Sequence, residues 1–266
     1  MSRPRSGGPV ENTLPGLKIV LTGASSGIGA MAAQLLADHG AEVIMVARRE
    51  PELEALQEKI TQTGGVSHWY CADLSDSEAR ADLIERVIAE HGTPDVLVNN
   101  AARSIRRNIG DAADRFHDYE RTMALNYFGP VQLTLGFLPG MRDRGFGHIV
   151  NVSTAAALIG VAPRYSAYAA SKRALGVFGR TLSAELGPEN IDVTTLYYPL
   201  VRTPMAAPTA KYANRPSLSA TEAAEWIVHA IENRPEQISP RIARGLGLVA
   251  ALVPDAVLAQ AMMRGN

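Results

Sequence analysis

Short continuous apolar runs alternate with longer amphipathic stretches along most of this chain, and no other feature restricts its fold as strongly. The apolar runs, each of which we predict to be a buried strand, cover residues 17–22, 43–47, 66–71, 96–98, 149–152 and 191–197. The patterns that predict helices follow the first run up to about residue 39 and continue at 51–60, 76–90, 112–142 and 165–185. Continuous apolar strands separated by helices are typical of a parallel sheet that is covered on both faces.

The predicted fold class is therefore α/β, a single doubly wound domain with a mostly parallel sheet of about seven strands and helices on both faces. No internal repeat and no change of composition marks a second domain, so we expect this domain to fill residues 17–266. Residues 1–16 are rich in Pro, Gly and Ser without an apolar run, which predicts a disordered leader and not a signal peptide.

Composition restricts the partners of the chain. Its 26 basic and 27 acidic side chains give a formal net charge of −1 without a concentrated basic face, so we expect no nucleic-acid partner. No run approaches the roughly 20 apolar residues of a membrane span, so we expect no integral membrane association. The apolar segment at 245–263 predicts a helix docked on the core or at a subunit interface, with contact to a membrane surface as the alternative. The single cysteine, Cys71, cannot form an intramolecular disulfide, which fits a reducing, cytoplasmic location.

The first predicted strand runs directly into a glycine-rich loop with a helix behind it. Such a loop brings the backbone close to a pyrophosphate, whose charge faces the helix N-terminus. We therefore predict a Rossmann-type dinucleotide site, contacted by Thr22, Gly23, Ser25, Ser26, Gly27, Ile28 and Gly29. The alternative is a tight strand-to-helix connection without a ligand.

The end of the second predicted strand indicates which dinucleotide is bound. An acidic residue near this position usually holds a free 2′-hydroxyl, whereas this chain has Arg48 and Arg49 there. Guanidinium groups suit a 2′-phosphate, with Ser25 as a further contact, so the predicted cofactor is NADP(H). A solvated basic pair at a helix entrance is the alternative.

From about residue 17 to 240 the chain resembles the short-chain dehydrogenase/reductase family. The motifs that carry the resemblance are, besides the loop, Asp73-Leu74, Asn99-Asn100-Ala101, Asn126, Ser153-Thr154, Tyr168 with Lys172, and Pro199 with Thr203. The resemblance implies that Asp73 and Leu74 flank the adenine and that Asn99 and Ala101 line the ribose. It also implies that the nicotinamide carboxamide is held by Pro199, Val201 and Thr203. The alternatives are a helix cap or turn for Asp73 and a turn for Asn99.

The proposed chemistry follows from Tyr168 and Lys172. Four residues apart in a helical pattern, they share one face, and a nearby ammonium lowers the pKa of a phenol from its usual value of about 10. We predict that Tyr168 protonates a carbonyl that accepts hydride from the cofactor, and acts as base in the reverse direction. By resemblance, Lys172 also bonds the nicotinamide ribose and relays protons through water and Asn126.

A hydroxyl group is also expected to orient the substrate carbonyl. The family usually places its serine second in the Ser153-Thr154 pair, so we favour Thr154, with Ser153 in strand-end packing as the alternative role. Ala102 and Leu200 stand where the family commonly has glycine, which narrows the space near the nicotinamide.

A narrower resemblance bears on the substrate. Residues 99–107, 116–123 and 198–205 are similar to the reductase domain of bacterial fatty acyl-CoA reductases, which reduce long-chain acyl-CoA to fatty aldehyde with NADPH. The implied substrate is a hydrophobic carbonyl compound or an acyl-CoA, closed in by a lid at about 200–218. Arg103, Arg106 and Arg107 are candidates either for the phosphates of coenzyme A or for pairing with Asp111, Asp114 or Glu120 at a subunit interface.

Two further functions have the same motifs. One is an NADP-dependent secondary-alcohol dehydrogenase, and the other is an NADP-binding sensor or scaffold without turnover, which the presence of both Tyr168 and Lys172 disfavours. None of the six histidines has a metal-ligand spacing to a second histidine or carboxylate, so no metal is expected. The family resemblance implies a homodimer or homotetramer.

Overall fold

We describe a computed structural model of the chain, covering residues 14–159, 162–207, 209, 215–240 and 243. The strands are β1 Lys18–Thr22, β2 Glu42–Ala47, β3 Val66–Cys71, β4 Val96–Asn99, β5 Gly147–Thr154, β6 Ile191–Tyr198 and β7 Gln237–Ile238. The helices are α1 Gly27–Asp38, α2 Glu50–Gln62, α3 Ser77–His91, α4 Phe116–Met123, α5 Gly129–Arg144, α6 Ala156–Ile159, α7 Ser166–Leu186 and α8 Ala220–Asn233.

All seven strands form one sheet in the order β3-β2-β1-β4-β5-β6-β7, and every neighbouring pair is parallel. The order reverses between β1 and β4, so their carboxyl ends flank a switch point, where doubly wound sheets bind ligands. The predicted α/β fold class is therefore confirmed.

Side chains that alternate along the strands enter two separate hydrophobic cores. On one face, Ile19 and Val43 pack with residues of α1, α2 and α8. On the other, Val20 and Ile44 pack with residues of α3, α5 and α7, where Phe137 is fully buried. Because both faces are covered, the central strands are apolar throughout their length. None of the helices in the described part of the chain combines the length and apolarity that a membrane crossing requires.

The predicted helix at 112–142 is wrong in its extent. A 3₁₀ turn at Ile109–Ala112 precedes α4, and a π-helical turn at Ala124–Phe128 separates α4 from α5. Pro130 has no N–H to donate to the carbonyl of Asn126, so the α-helical hydrogen-bond pattern cannot continue there. The two-residue strand β7 was also missed, because so short a strand gives no periodic signal.

The predicted leader reaches too far into the chain. Leu14 is fully buried, and the N–H of Gly16 donates to the carbonyl oxygen of Gly40 at 2.9 Å, so the packed chain includes residues that we expected to be disordered. The rest of the predicted leader and the apolar segment at 245–263 lie outside the described residues, as does part of the predicted lid.

Candidate active site

A cleft of about 1660 Å³ runs along the carboxyl edge of the sheet at the switch point. Of the expected site residues, it is lined by Gly23, Ser25, Ser26, Gly27, Ile28, Gly29, Arg48, Arg49, Leu74, Ala101, Ser153, Thr154, Tyr168, Lys172, Pro199, Val201 and Thr203. The remaining four, Thr22, Asp73, Asn99 and Asn126, are not among its lining residues. Residues far apart in the sequence are thus brought to one surface at the carboxyl ends of six strands, β1 to β6.

The glycine loop between β1 and α1 leaves no room for side chains at two positions. Gly23 has a φ of +71°, a left-handed conformation that favours glycine. A Cβ atom on Gly29 would lie 2.2 Å from the carbonyl oxygen of Gly23. The Nδ2 of Asn100 donates to the carbonyl of Thr22 at 2.9 Å and fixes the loop from the neighbouring strand end. The resulting open backbone at the start of α1 fits a pyrophosphate.

Two residues that we expected to contact the cofactor are instead buried and bonded within the protein. The hydroxyl of Thr22 is buried, donates to the carbonyl of Val98 at 3.1 Å and accepts from the N–H groups of Asn100 and Ala101. Asn99 is 1% exposed, and its Nδ2 donates to Asn151 at 3.0 Å. Asn100 and Ala101, not Asn99, therefore present the end of β4 to the cleft.

The basic residues after β2 lie together with the hydroxyl of the glycine loop. Arg49 donates to the Oγ of Ser25 at 3.0 Å and also pairs with Glu52 at 2.9 Å. Arg48 lies 3.7 Å from the carboxylate of Asp73. Burial tends to raise the pKa of Asp73, but hydrogen bonds from Ser75 and the guanidinium of Arg48 outweigh it and hold the pKa below its usual range. The carboxylate is therefore ionised and shares this corner with two guanidinium groups.

Lys172 is 1% exposed and reaches the floor of the cleft from α7. Its ammonium donates to the carbonyl of Val152 at 2.8 Å. Burial lowers the pKa of Lys172 to about 7, because the charged form is poorly solvated there. Tyr168 lies one helical turn earlier and lines the same cleft, with Tyr165 in edge contact at a ring separation of 6.3 Å.

The two hydroxyl candidates at the end of β5 differ in orientation. Ser153 is 3% exposed, and its Oγ donates to the carbonyl of Lys172 at 3.2 Å. The hydroxyl of Thr154 accepts only a long contact of 3.4 Å from the N–H of Ala156 and is partly exposed. Of the two hydroxyl groups, that of Thr154 has the longer hydrogen bond within the protein and is the more accessible to a substrate.

Asn126 is fully buried on the π-helical turn and does not line the cleft. Its Oδ1 accepts from the N–H of Arg103 at 2.8 Å, while its Nδ2 donates to the carbonyl of Arg103 at 2.9 Å and to Ser171 at 3.0 Å. These bonds tie α4 and α7 to the segment after β4, so Asn126 supports the cleft from behind.

The segment after β6 closes the other side of the cleft. Val201 and Leu218 form a parallel bridge, and the N–H of Arg202 donates to the carbonyl of Leu218 at 2.8 Å. These contacts bring the two ends of the predicted lid together. Between them, Met205 and Ala206 line the cleft.

The three arginines after β4 have different surroundings. Arg107 lies 3.3 Å from Asp118, so its observed partner is not one of the three acidic residues that we had considered. Arg106 lines the cleft, whereas Arg103 contributes its backbone to the bonds with Asn126. Of the three arginines, Arg107 and Arg103 thus have structural contacts, and Arg106 alone lines the cleft.

Three residues of this site were missed by the sequence reasoning. Asn100 fixes the glycine loop, and Tyr165 and Arg215 line the cleft. Tyr165 stands three residues before Tyr168, a helical spacing that was a usable signal. Arg215 lies within the predicted lid, where no local pattern marked it as a site residue, and only the fold brings it to the cleft.

The geometry defines a class of protein, a doubly wound α/β domain with a dinucleotide-type loop and a Tyr-Lys pair in one cleft. Residues 18–214 match the sequence profile of the family described as short chain dehydrogenase. The chain belongs to this family, whose members are oxidoreductases.

Two curated relatives are similar over most of their length. A fatty acyl-CoA reductase of Mycobacterium tuberculosis is 48% identical over 246 residues, covering 92% of this chain and 83% of the relative. A fatty acyl-CoA reductase of Acinetobacter baylyi is 47% identical, with the same shares covered. Among solved structures, a 3-oxoacyl (acyl-carrier-protein) reductase of Agrobacterium tumefaciens with NADP bound has a TM-score of 0.76 at 26% identity, covering 85% of this chain and 93% of that one.

Proposed function

We propose that this protein is an NADPH-dependent reductase of hydrophobic carbonyl compounds, with long-chain acyl-CoA and fatty aldehyde as the favoured substrates and Tyr168 as the general acid. The observation that carries the proposal is the position of Tyr168 and buried Lys172 in the cleft that the glycine loop also lines. The two relatives named as fatty acyl-CoA reductases support the choice of substrate.

The residues of the cleft fit a bound dinucleotide. The open loop at Gly23 and Gly29 would hold the pyrophosphate, and Ser25, Arg48 and Arg49 would hold a 2′-phosphate. The bound cofactor would supply the hydride, and the protein would supply position, charge and a proton. The solved relative that contains NADP supports this choice of cofactor.

On this proposal the proton moves from the Oη of Tyr168 to the carbonyl oxygen of the substrate, where negative charge develops as the carbon accepts hydride. With an acyl-CoA the hemithioacetal formed in this way then loses coenzyme A as its thiol, which leaves the aldehyde. The Lys172 ammonium stabilises the phenolate that remains. Thr154 donates a hydrogen bond to the same carbonyl oxygen, and Ser153 holds the backbone of α7 in place. Asn126 acts as a positioning residue through its bonds to Arg103 and Ser171.

The cleft also suits an acyl chain that carries phosphates. Met205, Tyr165 and Pro216 provide apolar surface, and Arg106 and Arg215 place guanidinium groups along the same cleft. An apolar chain and an anionic coenzyme A group therefore both find suitable contacts, since Arg binds phosphate well.

The substrate is tested by following NADPH absorbance with a panel of long-chain acyl-CoAs, fatty aldehydes and bulky ketones. We expect turnover of acyl-CoA and aldehyde, and turnover of ketones alone would remove the acyl-CoA proposal. Oxidation of secondary alcohols with NADP⁺, without reduction of any carbonyl in the panel, would favour the alcohol dehydrogenase instead.

A matched pair of variants separates coenzyme A recognition from chemistry. We expect Arg106→Ser to raise the KM for acyl-CoA roughly tenfold and to leave the KM for free aldehyde unchanged, since only the thioester carries phosphates. Arg121→Ser, an exposed change on α4 outside the cleft, should change neither. Equal effects of Arg106→Ser on both substrates would refute the assignment.

Cofactor choice is tested by binding. We expect wild type to bind NADPH more tightly than NADH in a fluorescence titration and Arg49→Glu to reverse that order, because the variant places a carboxylate beside the 2′-phosphate. Equal affinity of wild type for the two cofactors would refute the role of the arginines.

A further inference from the structure

A second group of possible ligands lies at the opposite edge of the sheet from the cleft. Glu42 begins β2, His68 lies in β3 and His91 ends α3. One side-chain donor atom of each lies within 4.8 Å of the others. Glu42 and the cleft end of β2 are five residues apart, or roughly 16 Å at about 3.3 Å per residue.

The fold brings these three residues together from distant positions in the sequence. In the register of β2 and β3, Ile44 pairs with His68 and Glu42 with Val66, so Glu42 and His68 are diagonal neighbours on one face. Helix α3 covers this face and ends with His91 above the pair. No spacing in the sequence indicates this group, and the prediction of no metal rested on sequence spacing alone, whereas the fold brings these three residues together.

The two distances from Glu42 match metal ligands better than direct hydrogen bonds. Glu42 Oε1 lies 3.3 Å from His68 Nε2 and 3.5 Å from His91 Nδ1. A direct N–H···O bond is about 2.9 Å long. Two ligands bonded to one tetrahedral zinc at about 2.0–2.1 Å are separated by roughly 3.3 Å. His68 is 41% exposed, so its ring has the freedom to complete the third edge of the triangle and leaves a route for an ion.

The surroundings of His91 leave one ring nitrogen directed at Glu42. Tyr70 Oη donates to Glu90 at 2.7 Å and lies 2.9 Å from His91 Nε2, which therefore acts as the donor in that contact. A neutral ring with its proton on Nε2 has its lone pair on Nδ1, the atom nearest Glu42. A metal-bound histidine usually donates its other ring N–H to an oxygen acceptor, and the Oη of Tyr70, itself bonded to Glu90, is such an acceptor. The nearby ammonium of Lys18 donates to the backbone carbonyl of His91 at 2.6 Å, so its contact is with the main chain and not with the candidate ligand atoms.

We infer that Glu42, His68 and His91 form a binding site for a divalent transition metal of the zinc type, remote from the catalytic cleft. Two imidazoles and one carboxylate are a donor set that zinc accepts, with the fourth position left to water. A bound ion would join β2, β3 and α3. This inference does not depend on the proposed reductase activity.

The test is isothermal titration calorimetry, in which ZnCl₂ is added to the chelator-treated full chain. Wild type is expected to bind one ion per chain and to gain roughly 5–10 °C in Tm at a hundredfold excess over Kd. His68→Gln and Glu42→Gln should each weaken binding at least roughly tenfold, and Tyr70→Phe, which keeps all three ligands, roughly 10- to 100-fold. His39→Gln, which changes an exposed histidine outside the proposed ligand set, is the matched control and should change nothing.

Three results would overturn the inference. They are no stoichiometric binding by wild type, equal affinity in wild type and His68→Gln, or a loss in His39→Gln as large as in His68→Gln. Equal affinity in wild type and His68→Gln would mean that Glu42 and the two histidines only interact with one another and do not bind the metal. The Tm of each variant without metal identifies any that fails to fold, and His68→Gln should keep the NADPH-dependent activity of wild type.

Discussion

Replacing Lys172 with methionine is expected to make the protein more stable, although most substitutions of a fully buried residue destabilise. Burial lowers the pKa of Lys172 from 10.5 to about 7, and each pKa unit corresponds to about 1.36 kcal/mol, so the charged form costs about 5 kcal/mol at pH 6. Methionine has a similar length and no charge. It loses the 2.8 Å bond to the Val152 carbonyl, which costs about 1–3 kcal/mol. The expected net gain in the free energy of unfolding is about 2–4 kcal/mol.

The dependence of this gain on pH identifies its cause. Below pH 7 both the folded and the unfolded states hold the proton of Lys172, so the wild-type protein bears the whole penalty. Between pH 7 and 10.5 the unfolded state holds a proton that the folded state has lost, so wild-type stability rises with pH. The penalty falls to about 2 kcal/mol at pH 9, and the advantage of the variant should then be close to zero.

Chemical denaturation of the cofactor-free proteins at pH 6 and pH 9 measures the free energy of unfolding, and so gives both the stability gain and its dependence on pH. At pH 6 the free energy of unfolding of Lys172→Met should exceed that of wild type by about 2–4 kcal/mol, and a thermal scan should show a Tm higher by roughly 5–15 °C. Lys59→Met, an exposed lysine on α2, serves as control and should show no comparable gain. A Lys172→Met protein that is less stable than wild type at pH 6, or whose advantage is the same at both pH values, would refute the reasoning.

Two further predictions concern the cleft. Gly29→Ala should lower the Tm and weaken NADPH binding at least roughly tenfold, because its Cβ would lie 2.2 Å from a backbone carbonyl oxygen of the loop. Gly110→Ala, where a Cβ meets nothing within 4 Å, should do neither, and equal effects would contradict the close approach at Gly29. In a pH series, kcat/KM for carbonyl reduction should fall as pH rises through about 7, because the Lys172 ammonium loses its proton there. A flat profile from pH 6 to 9 would contradict the role given to its charge.

The class of fold was predictable because its signal is local and repeated. Each apolar run in the sequence corresponds to a strand, and the helices between them follow their own periodicity. The π-helical turn at Ala124–Phe128 was not predicted, because the surrounding apolar pattern continues through it and only Pro130 marks the change. The two-residue β7 depends on its pairing with β6, which no local pattern encodes.

The residues of the candidate site were predictable where a motif directly follows a strand or where its members lie one helical turn apart. The glycine loop, Tyr168 and Lys172 are of this kind, and all of them line the cleft. The orientation of a side chain at the end of a strand depends on register with its neighbours, so the burial of Asn99 and the position of Asn100 on the cleft were not visible in the sequence. Contacts between distant segments, such as those that bring Arg215 to the cleft, require the folded chain.

The proton transfer from Tyr168 is the central claim, and the kinetics of Tyr168→Phe test it most directly. The variant removes one oxygen atom and keeps the ring, so NADPH binding should remain measurable by fluorescence. With a carbonyl substrate that wild type reduces, we expect kcat to fall by about 10²- to 10⁴-fold, the usual contribution of a general acid. A variant that binds NADPH and reduces every substrate at a rate close to that of wild type would contradict the account.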